Sequence, residues 1–266
     1  MVEVNGTELY REVRGSGPAV LLIMGATGDG GHFERLAESL ADEFTVVTYD
    51  RRGNGRSPRP PGWTATSAEE QADDAAALLK TLALAPAAVF GTSLAGVIAL
   101  CLVLRHPQLV SGAILHEPAF WSLFDDPEDV KRRTAAAVAE GIRSGGPREG
   151  IERFYRFVAG DANWEGLDPE LRERVRAGAE TYLEVERGAF ASYLPDEATL
   201  ARIETPIQLL VGGGSLPEFA QAARRLAPRL GIEITSTPGT HFGYLDHPLE
   251  LAEIVRPFLR EVSGVT

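Results

Sequence analysis

Cysteine is nearly absent from this chain: Cys101 is the single example in 266 residues. An internal disulfide is therefore excluded, which suits a reducing compartment and makes the cytoplasm the expected location. Cys101 itself falls in an apolar helical pattern, where a buried small hydrophobe is expected rather than a reactive thiol. Long hydrophobic runs are also missing. Apolar runs such as Ala19 to Met24 are far too short to span a bilayer. Met1 to Tyr10 alternates polar and apolar residues, so no secretory signal is expected. Positive charge is in deficit, with 26 Lys and Arg against 38 Asp and Glu and a formal net charge of −12. That balance disfavours nucleic acid and anionic membranes and leaves a small, neutral molecule as the expected partner. The sequence says nothing of oligomeric state. Low-complexity tracts are absent, and 44% hydrophobic residues suffice for one large buried core.

What is present is an alternation of short apolar runs with longer stretches of helical period. Thr7 to Arg14, Ala19 to Met24, Thr45 to Asp50, Ala87 to Gly91, Ser111 to His116, Ile207 to Val211 and Ile232 to Thr237 read as strands. Phe33 to Ala41, Ala68 to Leu84, Leu94 to Arg105, Pro217 to Leu230 and Leu249 to Val262 read as amphipathic helices. Such an order predicts an α/β fold with a mostly parallel sheet and helices on both faces. The short connection Gly15-Ser16-Gly17-Pro18 predicts that the first two strands form an antiparallel pair. Alternation stops from about Pro118 to Ile203, where Val130 to Ile142, Glu149 to Val158 and Pro169 to Phe190 read as helices. The expected organisation is a core of 1–117 and 204–266 with a helical cap, 118–203, inserted in it.

Gly91-Thr92-Ser93-Leu94-Ala95-Gly96 follows an apolar strand and opens an apolar helix. A nucleophilic serine on a tight strand-to-helix turn needs small residues two before and two after it, and Gly91 and Ala95 meet that need. The bland alternative is a glycine-rich turn in which Ser93 only caps the helix. On the catalytic reading the Leu94 N–H is one oxyanion donor, since first-turn amides lack helical partners. The second is expected from the loop Met24-Gly25-Ala26-Thr27-Gly28, at Ala26.

These motifs resemble the α/β-hydrolase superfamily over essentially the whole chain. Asp50-Arg51-Arg52-Gly53-Asn54-Gly55-Arg56-Ser57 is similar to the superfamily's D-x-R-G-x-G-x-S segment, and the elbow follows at the expected distance. Pro238 to Pro248 resembles the loop that carries the catalytic histidine, so the resemblance makes His241 the base. His32, His106, His116 and His247 are expected to be structural or superficial. The superfamily usually carries His-Gly before the oxyanion loop, where Met24-Gly25 stands here.

The orienting acid of such enzymes usually follows the penultimate strand, but Gly212-Gly213-Gly214-Ser215-Leu216-Pro217 has no carboxylate. Glu117, at the end of the strand after the nucleophile helix, projects from the same sheet edge as Ser93. Glu218 and Asp246 compete with it as acids. His116-Glu117-Pro118 resembles the segment with which fungal zearalenone lactonases supply their acid, and the C-terminal histidine segment is similar as well. In the cap, Val185 stands where those lactonases have a tryptophan that packs on the macrolactone. Among the cap aromatics Phe120, Trp121, Phe124, Trp164, Tyr182, Phe190 and Tyr193, some are expected to line a pocket and most to be core.

The resemblance implies hydrolysis of a carboxylic ester or lactone through Ser93, Glu117 and His241, without cofactor or metal. Gly53-Asn54-Gly55 lacks the Lys-Ser/Thr of a phosphate loop. Ser93 also argues against dehalogenases and epoxide hydrolases, which use aspartate. Alternatives are a carbon–carbon bond hydrolase or perhydrolase of the same fold, and a non-catalytic binding protein favoured by the missing acid after the penultimate strand.

Overall fold

The central strands carry side chains that no water-facing surface would select. In the computed structural model, which describes residues 1–264, β4 (Ala19–Ile23) and β6 (Ala87–Thr92) are buried at every position. A strand buried on both faces needs cover on both faces. The last two residues of the expected core segment 204–266 lie outside the described residues.

The main sheet also contains β3 (Arg11–Arg14), β5 (Thr45–Tyr49), β7 (Val110–His116), β8 (Ile207–Gly212) and β9 (Ile234–Thr237), in the order β3-β5-β4-β6-β7-β8-β9. Only β3 runs antiparallel to its neighbour; every other pairing is parallel. The mixed edge agrees with expectation, but its partners do not. β3 pairs with β5 rather than with the strand that follows it. The reason lies in the connecting loop, which crosses close over the entry to β5. A Cβ on Gly15 would stand 2.2 Å from Ala41 O and 2.3 Å from Phe44 O. The first expected strand is also broken at Tyr10, because β2 (Thr7–Leu9) turns away to pair with β1 (Val2–Val4) in a separate hairpin.

Of the flanking helices, α1 is Glu34–Leu40, α2 Ala68–Thr81 and α3 Leu94–Arg105. Between β7 and β8 come only helices and turns: α4 (Pro127–Gly145), α5 (Pro147–Ala159), α6 (Asp161–Gly166), α7 (Pro169–Ala177), α8 (Ala179–Thr181) and α9 (Glu197–Leu200). The chain ends with α10 (Pro217–Leu230), α11 (Gly243–Asp246) and α12 (Pro248–Ser263). β6 and β7 are each packed by α3 and by α12, while α2 pairs with α3 and α1 with α12. Among the described residues no helix is long and apolar enough to cross a membrane.

The helix expected over Pro169 to Phe190 is not continuous. It stops at Ala177, restarts for one short turn and widens into a π-helical turn, Tyr182–Glu186. That widening accompanies a side chain directed inward: Glu186 is wholly buried and ion-paired to Arg51. Cys101 is buried as expected, and burial raises its thiol pKa to about 11.

Candidate active site

Ser93 sits between β6 and α3 with φ 55° and ψ −122°. A side chain holds that backbone conformation only where its surroundings enforce it, at a cost of about 1–3 kcal/mol. Here its N–H donates to His116 O at 3.0 Å, and its carbonyl accepts from the amides of Gly96 and Ala119, each at 3.0 Å. The turn is tight enough to need glycine at 91. A Cβ there would lie 2.2 Å from Ala95 O. The loop after β4 rests on the same turn, since a Cβ on Gly25 would come within 2.7 Å of Thr92 O and 3.3 Å of Leu94 N. Gly25, which directly precedes the expected donor Ala26, thus approaches Ser93 and the other expected donor, Leu94. Both donor residues are buried.

Glu117 follows β7 directly, also at positive φ (46°), and its N–H donates to Leu210 O at 2.9 Å. The carboxylate is fully buried and uses both oxygens. Oε1 accepts from Gly212 N–H at 2.8 Å, and Oε2 lies 2.6 Å from His241 Nδ1. Burial alone would raise the acid's pKa, yet the hydrogen bond and the charges of the neighbouring imidazoles hold it below the usual carboxylate value. An ionised carboxylate only accepts, so Nδ1 carries a proton, and in the neutral imidazole the lone pair stands on Nε2. The last residue of β8, Gly212, therefore supplies an amide donor to an acid that directly follows β7.

His241 stands in the loop between β9 and α11, beside two aromatic rings. Phe219 of α10 stacks on it with centroids 4.2 Å apart, and His116 lies parallel at 6.3 Å. His116 hydrogen-bonds Thr92 Oγ1 through Nδ1 at 2.9 Å, and burial pushes its pKa down to about 4. Ser93 and His241 make no hydrogen bond with each other among the described residues. In unliganded sites such contacts often tighten only when substrate arrives. Of the competing acids, Glu218 lines the cavity that Ser93 enters but pairs with Arg133, and the exposed Asp246 has no hydrogen bond to His241. His106 binds Asp73 at 2.7 Å, His247 is half-buried beside Glu250, and His32 is buried in the short turn before α1.

Ser93 opens into a narrow cavity whose walls are almost wholly apolar. Trp121, Phe124 and Tyr182 line it, as the sequence led us to expect of some cap aromatics. Phe120, Trp164 and Phe190 are core. Phe154, Phe157 and Phe219 also line the cavity and were not singled out by sequence; the amphipathic patterns of α5 and α10 were their only signal. Val185 is buried.

Comparison with known proteins agrees with this architecture. A family model described as alpha/beta hydrolase fold matches residues 18–144. An uncharacterized hydrolase, YraK, of Bacillus subtilis (strain 168) is 32% identical, over 98% of this chain and 95% of that protein. A zearalenone hydrolase of Cladophialophora bantiana is 27% identical, over 94% of this chain and 92% of its own. A thermophilic esterase from Thermogutta terrifontis superposes with a TM-score of 0.76 at 28% identity, covering 97% of this chain and 94% of that one. Elbow, sheet order and relatives agree, and the chain belongs to the α/β-hydrolase superfamily.

Proposed function

We propose that this chain hydrolyses carboxylic esters or lactones, with Ser93 as nucleophile, His241 as base and Glu117 as the acid that orients it. The observation that carries the reading is the 2.6 Å hydrogen bond between Glu117 Oε2 and His241 Nδ1. It leaves the Nε2 lone pair as the proton acceptor. Segment 118–203 is read as a cap, because Trp121, Phe154 and Tyr182 from it wall the cavity that Ser93 enters.

In the reaction, His241 Nε2 takes the Ser93 hydroxyl proton as Oγ attacks the carbonyl carbon. The N–H groups of Leu94 and Ala26 stabilise the oxyanion. Collapse of the tetrahedral species breaks the carbon–oxygen bond, and the imidazolium returns the proton to the leaving alcohol. Water, deprotonated by His241, then attacks the acyl-enzyme and releases the carboxylic acid. With a lactone, alcohol and acid remain in one molecule, a hydroxy acid. The apolar walls favour a hydrophobic acyl or ring system, and the likeness to zearalenone hydrolases supports including macrolactones among the substrates.

The test is turnover of p-nitrophenyl esters and of small, acyl and resorcylic macrocyclic lactones by wild type beside Ser93→Ala and His241→Ala. The expected result is hydrolysis that nearly vanishes in both variants. Turnover that survives Ser93→Ala would reject the serine mechanism, and a wild type inert on every substrate would reject the ester and lactone reading.

A further inference from the structure

Arg51 is an arginine without access to solvent, and its guanidinium is engaged on every side. Glu186 in the π-helical turn binds it through both carboxylate oxygens, at 2.6 Å to NH1 and 2.8 Å to NH2. Neither side chain has measurable exposure. Of the remaining donors, Nε donates to Met24 O at 2.8 Å and NH2 to Gly25 O at 2.6 Å in the loop after β4, and NH1 also reaches Gln71 Oε1 at 3.2 Å. Asn54 Nδ2 steadies Glu186 Oε1 from a third direction at 2.8 Å.

A buried ion pair is weak evidence for stability, since apolar residues of similar volume often serve as well or better. The specific geometry here points to another role. Gly25 C=O and Ala26 N–H belong to the same peptide unit, which is trans, so the two point in opposite directions. Fixing the carbonyl on Arg51 therefore fixes the line along which the Ala26 N–H points. The carbonyl on the other side of that residue is held too. Tyr155 of α5 donates its hydroxyl proton to Ala26 O at 2.9 Å, and Thr27 Oγ1 is 2.8 Å from the same hydroxyl. Since the tyrosine's own proton is engaged, Thr27 is the donor in the second bond. Both supports, Glu186 through Arg51 and Tyr155 directly, come from the helical segment between β7 and β8.

We propose that Arg51, locked by Glu186, is a positioning residue that aims the Ala26 N–H at the oxyanion, with Tyr155 as a second support from the same helical segment. The proposal rests on the ester hydrolase reading above. Neither Arg51 nor Glu186 walls the cavity, so their effect passes through the peptide they hold. Seating of the helical segment and stabilisation of the transition state are thereby coupled: Gly28 N–H holds Gly25 O at 3.0 Å from within the loop, and docking of Glu186 and Tyr155 adds the side-chain donors that complete the support of both flanking carbonyls.

The experiment compares wild type with the paired variant Arg51→Met/Glu186→Leu, which removes both charges together, and with Tyr155→Phe, which removes one oxygen. Three quantities are measured: kcat and KM on the best ester, inhibition by an alkyl boronic acid that adds to Ser93, and hydrogen exchange in the peptide covering residues 24–28. A misaimed donor acts on the transition state, so kcat should fall by roughly tenfold to a hundredfold in the paired variant, with KM changed by less than about threefold. Boronate affinity should fall in parallel, and exchange at 24–28 should rise. A kcat within about twofold of wild type, a loss carried by KM alone, or unchanged exchange would overturn the proposal. If the paired variant does not fold, Tyr155→Phe decides, with a several-fold loss in kcat expected and an unchanged kcat overturning it. A wild type without turnover would instead reject the hydrolase reading, and the exchange measurement would still judge the clamp.

Discussion

Phe219 lies face to face on His241, with 4.2 Å between ring centroids and 13° between planes. The imidazole is thus fixed in two ways, by Glu117 at Nδ1 and by an aromatic plate that limits tilting of the ring. Phe219→Leu keeps an apolar side chain and removes the plate. We expect kcat to fall by about tenfold, because a base displaced by a fraction of an ångström loses much of its effective molarity. Steady-state kinetics on the best ester of the panel measure it. A wild-type kcat in Phe219→Leu would mean that the phenyl ring only fills space.

Glu117→Gln is a sharper probe, because the two carboxylate oxygens do different work. Oε1 accepts Gly212 N–H and Oε2 accepts the proton on His241 Nδ1. An amide can satisfy only one of these as an acceptor. If its oxygen faces Gly212, its NH2 faces Nδ1 and forces the ring proton onto Nε2, the nitrogen that must be free to accept from Ser93. We expect kcat to fall by roughly 10³ to 10⁴, the scale of such tautomer errors in serine hydrolases. Glu218→Gln and Asp246→Asn should keep most activity. The opposite ranking, measured on the same ester, would move the acid away from Glu117.

The elbow was legible in sequence because its determinants are local: an apolar strand, Gly91, Ser93 and an apolar helix follow one another without a gap. Glu117 was legible for a different reason, as a carboxylate at a strand end when the segment after β8 had none. What could not be read depends on contacts between distant parts of the chain. The pairing of β3 with β5 is set where the Gly15 loop crosses the entry to β5, and the short connection by itself suggested a hairpin. Arg51 and Glu186 stand 135 positions apart, so nothing in either local pattern announces their pairing. His32, read as structural or superficial, is buried with neither ring nitrogen hydrogen-bonded, a burial that only the packing around the turn before α1 reveals.

Gly91 offers a stability test tied to the elbow. In Gly91→Ala the new methyl would meet Ala95 O at 2.2 Å and Ala95 C at 2.7 Å, both backbone atoms that cannot swing aside. Strand and helix must then separate, and a loss of about 1–3 kcal/mol is expected, with activity reduced alongside. Gly166→Ala is the control, since a Cβ there meets nothing within 4 Å. Thermal unfolding of the two variants should give a lowered Tm for the first and little change for the second. Equal midpoints would show that the elbow relaxes freely.

Acid should destabilise the fold in two windows, and buried histidines govern the first. Burial pushes both His32 and His116 down to about 4 from the ordinary 6.5, against the opposing pull of Asp29 on the one and Glu117 on the other. Each is neutral when folded and readily protonated when unfolded, so between those two values the unfolded chain binds more protons. The stabilisation is complete above about pH 6.5 and is lost as the pH falls toward 4, by up to about 3 kcal/mol for each histidine. Asp29 extends the loss to lower pH. Burial raises its pKa, but the hydrogen bond from Arg174 and the other favourable contacts outweigh that and bring it to about 2, so its contribution disappears between about pH 4 and 2. His32→Leu removes the titrating ring and leaves Asp29 paired with Arg174. Urea unfolding of wild type and His32→Leu from pH 4 to 8 should show a shallower decline in the variant, with the curves converging or crossing toward acid. Parallel curves would mean that His32 is protonated alike in the folded and unfolded chain.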